Sequence, residues 1–126
     1  MDIKEDYCSY EVAKLLKEKG FNERTSTYFY NGEEFNCTNY DTDWNSKGDK
    51  WVSRPTHQMA MKYLRGKGYS IEVYVCVDRY DDGLIWAWSV CEIIKADVEL
   101  RKDRNYYHTY EGAVEAALKY CLTKLI

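Results

Sequence analysis

Thr25-Ser26-Thr27-Tyr28-Phe29-Tyr30-Asn31-Gly32-Glu33-Glu34-Phe35-Asn36-Cys37-Thr38 is the stretch whose reading decides the fold class. Two runs of β-branched and aromatic residues flank Asn31-Gly32. A type I′ turn needs positive φ at both central positions, which Asn and Gly tolerate best, so the stretch predicts a β-hairpin with strands over 25–30 and 33–38. Toward the N-terminus, Ser9 stands as a helix cap before Val12, Leu15 and Leu16 at helical spacing. Gly20-Phe21 then supplies a left-handed closing residue and the apolar contact that follows it. A first helix is therefore expected at about 10 to 19.

Toward the C-terminus, residues 39–54 are rich in Asn, Asp, Ser, Thr and Lys, with Tyr40, Trp44 and Trp51 embedded among them, and read as a long loop. A second helix is expected to start at Thr56 behind Pro55, with Ala60, Tyr63 and Leu64 on its apolar side, and to end at Gly66-Lys67-Gly68-Tyr69. Ile71, Val73, Val75 and Val77 alternate with Glu72, Tyr74 and Cys76, which predicts a half-buried strand over 71–77. Asp81-Asp82-Gly83 reads as its turn, and Leu84 to Ile94, carrying Trp86 and Trp88, as the return strand. The register stays open, because shifting the turn by one residue moves both Trp side chains to the other face. Residues 95–108 are charged, with room for a short strand at the aromatic end, Tyr106-Tyr107-His108. Thr109 caps a last helix in which Val114, Ala117, Leu118, Cys121, Leu122 and Leu125 recur at helical spacing.

Residues 9–21 and 56–69 echo one another: a hydroxyl cap, an Ala at the fifth position (Ala13, Ala60), a Lys-Gly-aromatic close, then a hairpin. Cap chemistry alone accounts for these identities. The pattern predicts an α+β fold in the order α-β-β-α-β-β-α. Two hairpins joined in one antiparallel sheet, with three helices on one face, would make a two-layer single domain over 1–126.

The chain has 126 residues, 45% hydrophobic and 31% charged, with a net charge of −3, a size and balance suited to one small core. The acidic start and the lack of a long apolar run predict a cytoplasmic protein without a membrane partner. The net negative charge speaks against nucleic acid, and the basic groups Lys14, Lys17, Lys19 and Lys62, Arg65, Lys67 read as solvated helix faces. Cys8, Cys37, Cys76, Cys91 and Cys121 are odd in number and contain no C-x-x-C pair, so they read as small hydrophobes.

Candidate chemistry is sparse. Asp41-Thr42-Asp43-Trp44-Asn45 opens like a calcium loop, but Ser46 stands where the sharp-turn Gly belongs and Val52 where the bidentate Glu belongs. No metal or cofactor is expected. Gly66-x-Gly68 ends a helix, whereas a phosphate cradle opens one. Cys8, His57 and His108 fall near helix starts, which capping explains and which a Cys/His enzyme could also use.

The run Pro55-Thr56-x-Gln58-Met59-Ala60-Met61-Lys62-Tyr63-Leu64-Arg65, the strand Ile71-x-Val73, the close Tyr110-Glu111-x-Ala113-x-Glu115-Ala116-Ala117-Leu118-Lys119 and the stretch Ala13 to Phe21 resemble small uncharacterised proteins of gut bacteria and their phages. Those proteins often carry Glu where Gly112 stands. The resemblance implies a phage or mobile-element context and brings no activity or site residue with it.

The aromatic count separates further by position: 13 Tyr and 4 Trp against 3 Phe give rings with a polar handle. Tyr28, Tyr30, Tyr63, Tyr74, Trp86 and Trp88 fall on elements that need them for packing. Tyr40, Trp44 and Trp51 in the polar loop, with Tyr106 and Tyr107 before the last helix, are the candidate binding residues. The leading expectation is a small interaction or accessory protein, with a protein partner or homodimerisation and no catalytic residues. The alternative is a small-ligand binder or enzyme whose site is assembled from Cys8, His57 and His108.

Overall fold

The structure, a computed structural model, describes residues 3–77, 83–93, 100–102 and 106–126. The expected turn residues Asp81 and Asp82, Ile94 at the end of the return strand, and most of the charged segment 95–105 lie outside the described residues. The chain divides into two compact units, residues 1–60 with Ile126 and residues 61–125, and the division falls within the second helix.

In the first unit, α1 (Tyr10–Glu18) starts where Ser9 accepts from the Val12 N–H and closes through Gly20 at φ +90°. The hairpin follows as β1 (Thr27–Tyr30) and β2 (Glu33–Asn36). Asn31 and Gly32 at φ 52° and 85° make the left-handed turn that this residue pair predicts. β1 lies in the middle of a three-stranded antiparallel sheet, order β2-β1-β3, whose third member is β3 (Trp51–Ser53). The β3 strand falls inside the segment read as loop, as does a one-turn 3-10 helix, Trp44–Lys47. Alternation sorts this sheet into two faces. Phe29 and Val52 turn toward α1 and join Ala13 in a buried cluster, with Tyr10 edge-on to Phe29 at 5.1 Å.

Helix α2 (His57–Gly66) begins at Thr56, whose hydroxyl accepts from the Met59 N–H. In the second unit, β4 (Tyr69–Val77) and β5 (Leu84–Glu92) pair along their whole length, and β6 (Leu100–Lys102) adds to the far side of β5. The open register is settled by Val73 opposite Trp88 and Val75 opposite Trp86, which puts both indoles on the valine face. Helix α3 (Tyr110–Tyr120) packs there, with Tyr110 edge-on to Trp86 at 5.4 Å and Tyr120 against Trp88 at 5.1 Å. Thr109 caps α3 through the Gly112 N–H, and a Cβ at Gly112 would meet that hydroxyl at 3.0 Å. A π-turn, Cys121–Leu125, continues the helix and keeps Cys121 and Leu122 in the core. The aromatic end before α3 makes one bridge, Tyr107 to Trp86, with both backbone bonds formed.

The α+β class stands, while the expectation of one sheet built from two hairpins gives way to two sheets among the described residues. Each hairpin instead takes a short third strand, β3 beside β1 and β6 beside β5, which removes those two edges from pairing with the other hairpin. Both added strands are three residues long, too short for alternation to reveal them.

Candidate functional site

The second face of the β2-β1-β3 sheet carries an aromatic cluster. Tyr28 and Tyr30 are two residues apart on β1 and therefore share a face; the register sets Phe35 opposite Tyr28 and Trp51 opposite Tyr30. Tyr28 and Phe35 stack at 5.5 Å, and Tyr30 meets Trp51 at 4.7 Å. The 3-10 turn lays Trp44 over this row, stacked on Tyr28 at 4.0 Å and on Trp51 at 5.6 Å with the two indole planes 11° apart. Trp44 is only 7% exposed, and its indole N–H donates to Thr25 O at 2.7 Å. It is the anchor of the cluster.

Charge and hydrogen bonding hold the turn in place. Lys47 sets its ammonium 5.7 Å from the ring centres of both Trp44 and Trp51. Asn45, third oxygen of the calcium-like run, donates from its side chain to Phe21 O and accepts from Ser53 N, so the turn is bracketed between two elements. Lys17 of α1 donates to Gly48 O and Trp51 O, each at 2.7 Å. The expectation of a solvated face for that lysine does not hold, since its head group ties β3 to α1.

What remains in solvent is the outer part of the face. Tyr30 and Phe35 are 38% and 41% exposed, while Tyr28 and Trp51 are half-buried. Of the residues expected to form the site, Trp44 and Trp51 are brought together. Tyr40 is 70% exposed and belongs to none of the described ring pairs of this cluster. Tyr106, exposed, and Tyr107, half-buried on its bridge to Trp86, belong to the second unit. The packing role expected of Tyr28 and Tyr30 gives way to membership of this face, which Phe35 shares. Their signal was legible in principle, because the two-residue Asn-Gly turn fixes the register and with it the shared face.

The Cys/His set is placed differently. Cys8 and His57 lie on paired backbone segments, with Cys8 N donating to Pro55 O and His57 N to Asp6 O, and both side chains are closed to solvent at 1% and 4% exposure. His108 is exposed before α3 in the second unit. Burial pushes the Cys121 thiol up to about 12, which keeps it protonated and inert as a nucleophile.

No protein-family model, curated protein or solved structure matches the chain. No helix among the described residues is long and apolar enough to cross a membrane.

Proposed function

We propose that this chain is a small cytoplasmic accessory protein, of the phage or mobile-element type that its resemblance implies, which binds a protein partner through the aromatic face of β1, β2 and β3. A second copy of the chain is the simplest such partner. The observation that carries the reading is one sheet face that joins a buried indole, Trp44, to two rings left in solvent, Tyr30 and Phe35. Rings already stacked have few rotamers left to lose on binding, which is why such side chains dominate protein interfaces. Glu33 and Lys47 at the margin supply a polar rim. The two-layer arrangement is proposed within each unit, as one helix against one sheet. The enzyme reading draws less support, since Cys8 and His57 are buried.

The test replaces both open rings, Tyr30→Ser with Phe35→Ser, and leaves Trp44 alone because its loss would report on folding. Sedimentation over a concentration series reads self-association, and affinity capture with each form as bait reads other partners. The expected result is an association made by the wild type and lost in the double variant, which keeps the wild-type circular dichroism and a cooperative unfolding transition. Equal behaviour of the two forms in both assays would remove the proposed surface.

A further inference from the structure

The first unit also holds a cleft of about 200 Å³ that the aromatic face does not use, and Arg24 and Arg54 both line it. Its walls follow from two short backbone pairings. Tyr7 bridges Thr56 and Thr25 bridges Thr42, which brings the segment before α1, the end of β3 and the start of α2 around one opening. Arg54 continues the β3 ladder, its N–H donating to Thr27 O. Its guanidinium stacks over the Tyr7 ring at 4.5 Å, with Phe29 at 5.7 Å, so the plane is held by rings rather than by a strong ion pair. Its salt bridge to Glu34 is long at 3.5 Å and the carboxylate is 64% exposed, which makes it weak and displaceable.

The rest of the lining is hydroxyl-rich. Thr25 and Thr27 spend their hydroxyl protons on the backbone carbonyls of Thr27 and Arg54. Thr56 accepts from Met59 N, which leaves its own proton free to donate, and Tyr7 and Ser26 add two further hydroxyls to the lining. Two arginines and donor hydroxyls lining the same cleft form a recognition set for an oxyanion. Asp41 is the one carboxylate in the lining and opposes that charge. The volume lies below the roughly 300 to 1,000 Å³ of drug-sized ligand sites, so the ligand is small.

We propose that this cleft binds a phosphate-class oxyanion, as inorganic phosphate or as the head group of a small phosphate monoester. The site is independent of the aromatic face and of the partner proposed for it. Arg24 is exposed, so Arg24→Gln leaves the fold alone, and Asp41→Asn removes the opposing charge. Titration of the full chain by amide NMR, with inorganic phosphate in one arm and glycerol 3-phosphate in the other at constant ionic strength, reads the binding. Saturable shifts at residues 24–27, 41, 54 and 56–59 are expected. Arg24→Gln should weaken the affinity about tenfold, the loss of one charge-assisted contact, and Asp41→Asn should strengthen it. Tighter binding of the monoester supports the proposal and assigns the cleft to a monoester head group, whereas tighter or equal binding of inorganic phosphate supports it and assigns the cleft to the free anion. Shifts that sodium chloride reproduces, an absence of saturation, or affinities unchanged in both variants would overturn it.

Discussion

The two sheets use the same ingredients in opposite ways. In the second unit the rings Trp86 and Trp88 lie between sheet and helix, where Tyr110 and Tyr120 of α3 complete their packing. In the first unit the helix takes the small cluster of Ala13, Phe29 and Val52, and the larger rings fall on the other face. The echo between residues 9–21 and 56–69 persists through a left-handed glycine, Gly20 at φ +90° and Gly68 at φ +99°, and through a hairpin. It ends at the third strand, which joins the first strand of one hairpin and the second strand of the other. Aromatic content therefore says little by itself; the face on which the helix lands decides whether a ring stabilises or stays available.

The largest expected effect comes from the covered rings. Trp88 is 2% exposed, and Trp88→Ala should cost about 3 to 5 kcal/mol in denaturant unfolding. A loss below about 1 kcal/mol would show that the covered rings do not carry the second unit's core. Next is Lys17→Met, which keeps the aliphatic stem and strips two backbone carbonyls of a charged donor. It should cost roughly 2 kcal/mol, and no loss would mean that β3 holds to α1 without the lysine.

The effect confined to alkaline pH, and absent at neutral pH, is a pH slope belonging to the second unit. The Cys121 thiol is raised from 9.0 to about 12 by burial, so the unfolded chain ionises there first. Its contribution to stability is complete below pH 9 and declines between pH 9 and 12 as the unfolded thiol loses its proton. The difference in unfolding free energy between wild type and Cys121→Ala should fall across that window, while a flat difference would place the thiol in contact with water.

Much of this was legible in the residues. Ser9, Asn31-Gly32, Thr56 and Thr109 act locally, and each does in the structure what its chemistry predicts. The valine alternation of β4 fixed the strand, and pairing with β5 supplied the register that alternation alone left open. Strands β3 and β6 were not legible, because three residues carry no period. The role of Lys17 is hidden for a different reason: its partners are backbone carbonyls 31 and 34 residues away, which no helical spacing announces. The candidate binding residues suffered from sorting by segment rather than by face. Trp44 left the polar loop for the interior, and Tyr30 and Phe35 left the strands for the surface.

Hydroxyl-radical footprinting tests the contrast between the two sheets and the binding reading together. In dilute purified protein Tyr30 and Phe35 should oxidise readily while Trp88 is spared, and raising the protein concentration or adding the captured partner should protect Tyr30 and Phe35 alone. Oxidation of Tyr30 and Phe35 at one unchanged rate under all of these conditions would contradict the account.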